Sequence, residues 1–262
     1  MPHGPSHRAP PRLYYLPLYI FCGRHLLAAK LRRASLDAAA GAVEEVARIV
    51  GQIRRHWPNV RILVRADSGF ARDDLMAWCE ANDVHFVLGL AKNDRLIAEI
   101  KDELAAAEKT SLRTGKPARR FKQFQWTTRK SWSRERRVVA KAEWTQGEAN
   151  PRFIVTSLTR GECKARYLYE KVYCARGDME NRIKECQLDL YADRTSTTTM
   201  GANQLRRRVG EGVAILAPHR SGRAEFPRSG SSCVRFVPSG VAMNDPGRWQ
   251  RMTGEERVEA VP

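Results

Sequence analysis

From Tyr14 onward, apolar positions come in blocks of strand length, separated by stretches in which they recur every three or four residues. YYLPLYIF and HLLAAKLR read as two strands, and Cys22-Gly23-Arg24 between them predicts a hairpin eased by the glycine. Between Ala39 and Trp57, Val43, Val46, Ala47, Val50 and Ile53 keep helical spacing until Pro58 stops the helix. Val60 to Ala66 is a short apolar strand. Arg72 to Asn82 predicts a second helix, His85 to Leu90 a second apolar strand, and Asp94 to Ala107 a third helix burying Leu96, Ile97, Ile100 and Leu104. Alternation of this kind predicts an α/β fold with a largely parallel sheet, covered by helices and joined by right-handed crossovers.

The pattern changes after Arg113. Through Trp144, basic residues interleave with Phe121, Phe124, Trp126, Trp132 and Trp144, and the Val-Val and aromatic content favours short strands. Together with the strand FIVTSL, this predicts an inserted β-region over about residues 113–158. Phe121 and Phe124 read as core of that region. Residues 163–190 form a long amphipathic helical stretch, whereas residues 206–262 turn to Gly, Pro, Ser and Arg without period, a composition that predicts a disordered tail. Residues 1–13, rich in Pro, read as a loose arm.

Charge narrows the partners. Lys+Arg 46 against Asp+Glu 29 gives a net charge of +17, which favours a polyanion, because each neutralised phosphate releases counterions. Nucleic acid leads and an anionic membrane surface follows. Insertion into a membrane is not expected: the most apolar stretch, Tyr14 to Cys22, falls far short of the roughly 20 residues a spanning helix needs. The six cysteines show no CxxC pair, a pattern that suits reduced thiols in a cytoplasm.

Two places carry candidate chemistry. In ILVRADSGFARDDL, Asp67 stands just past the carboxyl end of a strand, where α/β sheets open into a crevice. The competing reading is a cap, since an Asp before a helical turn satisfies free N–H groups. In YCARGDMENRIKECQ, residues 173–187, Tyr173, Arg176, Glu180, Lys184 and Gln187 share one stripe of a helix. Glu180 and Lys184 are also spaced as an ordinary i, i+4 ion pair. Both readings stay open at both places. Along the β-region, Arg119, Arg120 and Lys130 suit phosphate tracking, and Trp126 and Trp132 suit stacking on unpaired bases.

The runs YLPLYIFCGRHLLAAKLRR, VRILVRADSGFARDDLMAWCE and VYCARGDMENRIKE resemble bacterial insertion-sequence transposases of the IS1380 family over about residues 14–205. The resemblance implies a ribonuclease H-like DDE core and Mg²⁺- or Mn²⁺-dependent cleavage and strand transfer of transposon-end DNA. It implies that Asp67 and Glu180 are the matching catalytic, metal-binding carboxylates. Tyr173 and Arg176 match the DNA-contacting part of a Tyr-Arg-Glu-Lys signature. Its lysine is expected where Gln187 stands, with Lys184 as the substitute. A homo-oligomer or an association with an intact transposase, near the nucleoid, is the implied setting.

Two departures shape the expectation. The family's first catalytic Asp lies on a central strand upstream of the Tyr14 hairpin, yet no acidic residue precedes Asp37. The core is therefore expected to lack its first central strand, leaving two strand edges facing a gap. After GANQLRRR the sequence has the character of out-of-frame translation. An inactive fragment, or a non-catalytic basic DNA-binding remnant, is the expected state of this chain.

Overall fold

The computed structural model describes residues 15–23, 25–145, 147–174 and 199–205, together with the backbone of 235–237. One nine-stranded sheet organises them. Its strands are β1 (Leu18–Cys22), β2 (His25–Lys30), β3 (Ile62–Ala66), β4 (Val84–Leu90), β5 (Ala118–Trp126), β6 (Arg136–Thr145), β7 (Glu148–Ala149), β8 (Arg152–Thr156) and β9 (Arg235–Val237). The order across the sheet is β2-β1-β9-β3-β4-β8-β6-β5, with β7 on β6.

β1 and β2 form the expected hairpin, with Gly23 at a positive φ of 56° and a bulge between Ile20 and Phe21. The edge strand β2 is met by Gln204, whose amide accepts from the Leu31 N–H and donates to the Ala29 carbonyl. Helix α1 (Ala42–His56) buries Ala42, Val46, Ile49 and Val50. Glu44 and Glu45 in its first turn and Arg54, Arg55 and His56 in its last oppose the helix dipole. Helix α2 (Asp73–Ala81) links β3 to the parallel β4. The third expected helix is two: α3 (Asp94–Glu99), capped by the Asn93 side chain on Leu96 N, and α4 (Lys101–Thr114). They meet at the fully buried Ile100, where ψ swings to 19°, and α4 ends at left-handed Gly115. The helix thus runs past Ala107, because its period continues through Leu112 on a more exposed face.

Two features differ from expectation, and a third concerns how the β-region joins the core. The sheet is mixed: among the described residues only β3–β4 and β3–β9 are parallel, since the strand–helix alternation there covers β3 and β4 and antiparallel pairs flank them. The β-region expected over about residues 113–158 is continuous with the main sheet. β8 pairs antiparallel with β4 through Leu88↔Val155 and Gly89↔Ile154, so β8, β6 and β5 extend the central sheet. Finally, the gap between β1 and β3 is bridged by the tail. β9 lies antiparallel to β1 through Tyr19↔Val237 and Phe21↔Arg235, and parallel to β3 through Arg65↔Arg235. A Val-Arg-Phe-Val run inside the Gly- and Ser-rich tail has β propensity, and the inner edges of β1 and β3 supply the backbone partners it needs.

The two faces of the sheet carry alternate residues. On one, Leu18, Ile20, Ile62, Val64, Phe86, Leu88, Val138, Ala140 and Val155 pack with side chains of α1, α2 and α3 into the main core. On the other, Leu63, Val87, Val139 and Ile154 are covered by Leu158, Cys163, Leu168, Tyr169 and Val172. This second cover comes from α5 (Ala165–Tyr167) and a π-helical turn (Leu168–Tyr173), the only described part of the long helix expected over 163–190.

Candidate active site

β3 is buried along its whole length, and the backbone leaves it at Asp67 in an extended conformation. Asp67 then caps a short 3₁₀ turn (Ser68–Phe70): its Oδ1 accepts from Gly69 N at 2.8 Å, and its carbonyl accepts from Phe70 N at 3.2 Å. Phe70, fully buried, anchors the turn in the main core. The bond through Oδ1 orients a half-buried carboxylate just past the end of a parallel strand, the position at which α/β sheets place ligand sites.

The neighbouring strand brings a second part of the chain to the same place. A Cβ built on Gly89 of β4 would stand 2.5 Å from the Tyr173 hydroxyl, 2.8 Å from Ser68 N and 3.1 Å from the Asp67 carbonyl carbon. Tyr173 and the Asp67 turn therefore share one notch, open only because residue 89 lacks a side chain. Beneath it, Arg65 is 1% exposed and donates from Nη1 to the Val172 carbonyl, joining β3 to the π-helical turn.

Around the notch, the Tyr169 ring sits tilted between Tyr173, with ring centroids 5.7 Å apart, and Phe121, at 5.8 Å. Lys141 Nζ lies 5.6 Å from the Tyr169 ring and pairs with Glu143. Burial pushes the Tyr169 phenol well above its ordinary pKa, so the ring stays neutral.

Arg119 projects on this face and pairs with Glu170 at 2.9 Å, whereas Arg120, next along β5, points to the opposite face, as strand alternation requires. One phosphate track cannot take both as placed. Lys130 is exposed in the β5–β6 connection. The two tryptophans depart from a base-stacking role: Trp126 is 7% exposed with Arg95 Cζ 4.6 Å over its ring, and Trp132 packs against the same core with Arg136 at 5.7 Å. The apolar area of Trp126 is already buried and that of Trp132 partly so, and stacking on a base would first expose it. Trp126 also lies on β5, four strands from β3, or about 19 Å at the usual spacing.

Arg176, Glu180 and Lys184 lie outside the described residues, and with them the convergence of Glu180 on Asp67. Among the described residues no three His, Cys, Asp or Glu side chains gather as a metal site. Asp67 by itself fits a hard divalent ion as one oxygen ligand of the several that Mg²⁺ takes. Arg65 and Gly89 were missed by the sequence reading. An arginine inside an otherwise apolar strand and a glycine inside VLGL were the available signals.

Residues 12–216 match the family model for transposase DDE domain group 1. The chain belongs to that family. No curated protein matches it. A mixed α/β sheet with Asp67 at the end of an inner parallel strand is compatible with a ribonuclease H-like DDE fold. DDE transposase domains act on DNA and generally use divalent metals. No helix among the described residues of this transposase domain is long and apolar enough to cross a membrane.

Proposed function

We propose that this chain is a transposase domain of the IS1380 type, built to cleave transposon-end DNA and join it to a target. In this reading Asp67 and Glu180 are the working carboxylates, which would hold Mg²⁺ or Mn²⁺. When bound, such ions activate an attacking oxygen and stabilise a leaving one. The observation that carries the reading is the shared notch: the Tyr173 hydroxyl stands against the Asp67–Ser68 peptide, so the segment leading to Glu180 starts beside Asp67. Tyr173, Arg176 and Lys184 serve as contacts to the DNA strand entering the site. Arg119, Arg120 and Lys130 add non-specific affinity from separate surfaces. The chain acts near the nucleoid, as a homo-oligomer or with an intact transposase.

The test is Mg²⁺-dependent nicking of DNA carrying transposon ends. Nicking that disappears in Asp67→Asn and in Glu180→Gln supports the reading, and nicking indifferent to both removes it. A second reading, a DNA-binding remnant without cleavage, draws on β9. The strand between β1 and β3 is Arg-Phe-Val and brings no carboxylate of its own to the inner sheet. In that case DNA binding falls steeply with salt, survives both substitutions, and comes without nicking.

A further inference from the structure

The notch at Gly89 is more than a place where two segments pass. We infer that Gly89 and Arg65 are positioning residues that lock the Leu168–Tyr173 turn onto the Asp67 loop, setting where the chain enters the Glu180 motif. For its functional consequence this rests on Asp67 and Glu180 being the working carboxylates; the lock itself stands on geometry alone.

Two independent contacts make the lock. Arg65, on the strand that ends at Asp67, reaches through the second face to the Val172 carbonyl. That carbonyl belongs to a π-helical turn, closed by Cys174 N on Tyr169 O at 2.9 Å. The guanidinium that donates to it is buried and fixed in a β-strand, and a charged donor makes a stronger bond than a neutral one. One residue later, Tyr173 places its hydroxyl on Gly89. Any larger residue at 89 would meet not only the phenol oxygen but also the Ser68 nitrogen and the Asp67 carbonyl carbon. Backbone atoms cannot swing aside as a side-chain tip can, so a side chain at 89 displaces the Asp67 turn and Tyr173 together. The pair therefore couples the direction of the Asp67 carboxylate to the placement of the Leu168–Tyr173 turn. This fits the way outer groups orient metal ligands.

The exposed Cys174, directly after Tyr173, offers a reporter. In the full chain with Cys22, Cys186 and Cys233 changed to Ser, a nitroxide on Cys174 gives an immobilised spectrum. Gly89→Ala shifts it towards the mobile form, and adding Tyr173→Phe, which removes the closest clashing atom, reverses at least part of the shift. Tyr173→Leu and Arg65→Met, which create no clash, also mobilise the label. Unchanged spectra in Tyr173→Leu and Arg65→Met overturn the lock, as does a Gly89→Ala shift that Tyr173→Phe leaves untouched. On unlabelled protein, Mn²⁺ affinity measured by electron paramagnetic resonance falls about ten-fold in Gly89→Ala, as for other supports of metal ligands, with helical circular dichroism unchanged. Mn²⁺ binding that Asp67→Asn abolishes but Gly89→Ala leaves intact overturns the positioning role. Mn²⁺ binding indifferent to Asp67→Asn removes the reading of the carboxylates instead, while the nitroxide result still decides the lock.

Discussion

The two faces of the sheet are held by different physics. The face under α1, α2 and α3 is an apolar core in which Phe86, Leu75, Ile62 and Val64 are fully enclosed. The other face has a smaller apolar cover fastened by guanidinium groups: Arg65 to Val172, and Arg137 to the carbonyls of Leu158, Thr159 and Cys163 at 2.8, 2.8 and 2.9 Å. Apolar packing stabilises without direction and tolerates repacking, whereas a buried guanidinium stabilises one arrangement of the loop it holds. The candidate site stands on the second face, where the path of the chain matters more than the area buried.

Each face contains a buried cysteine, Cys79 on the first and Cys163 on the second, so thiol reactivity reads them separately. Burial raises both thiols, Cys163 to about 12 and Cys79 further, which keeps them inert until their surroundings open. The largest effect is expected from Phe86→Ala, costing about 3–5 kcal/mol in denaturant unfolding and quickening both thiols together. Selective quickening of Cys79 alone would show that the faces open independently. Arg137→Met comes next, at about 3 kcal/mol, because four backbone and side-chain partners lose their donor at once. Here Cys163 reacts faster while Cys79 stays slow, and equal acceleration of both would erase the distinction drawn above.

A smaller effect comes from His85, on the second face beside Arg61 and Glu162. Desolvation lowers its pKa, opposed by Glu162 and aided by Arg61. A depressed histidine binds fewer protons folded than unfolded, so its contribution is full above the unfolded value of about 6.5 and is lost as pH falls below it. Melting temperature should therefore decline between about pH 7 and 5, and His85→Gln should flatten that decline; an identical slope in both proteins would exclude His85 as its source. The smallest change is expected for Arg119→Ala. Its ion pair with Glu170 is half exposed, so stability moves by less than about 0.5 kcal/mol even though the pair lies near the site.

What the sequence disclosed follows the same division. α1, α2, β3 and β4 were legible because each carries its own period or apolar run, and a local pattern suffices to mark a local element. The pairing of β8 with β4 was not, since FIVTS buries both faces and nothing in it names a partner strand. The break at Ile100 was hidden for a related reason: an apolar residue at helical spacing serves a helix interior and a buried joint equally well. Asp67 was legible as a candidate for two roles, and the cap is the one seen, its Oδ1 accepting from Gly69 N. Composition could not decide the role of Trp126 and Trp132, because interleaved Arg and Trp describe a nucleic-acid surface and a half-buried hairpin alike. Arg95 over Trp126 shows the second. Arg65 and Gly89 stood in plain view as exceptions within strands, but their meaning depends on Val172 and Tyr173, more than eighty residues further on.

The placement of β9 carries a kinetic consequence. Tyr19 and Val237 are neighbours in the sheet, yet almost the entire polypeptide separates them, and loop-closure entropy must be met before that contact rewards it. The hairpin of β1 and β2 and the crossover unit of β3 and β4 can each assemble early, from nearby residues. Their seam is sewn last, so during synthesis both inner edges stay open to whatever extended chain arrives first.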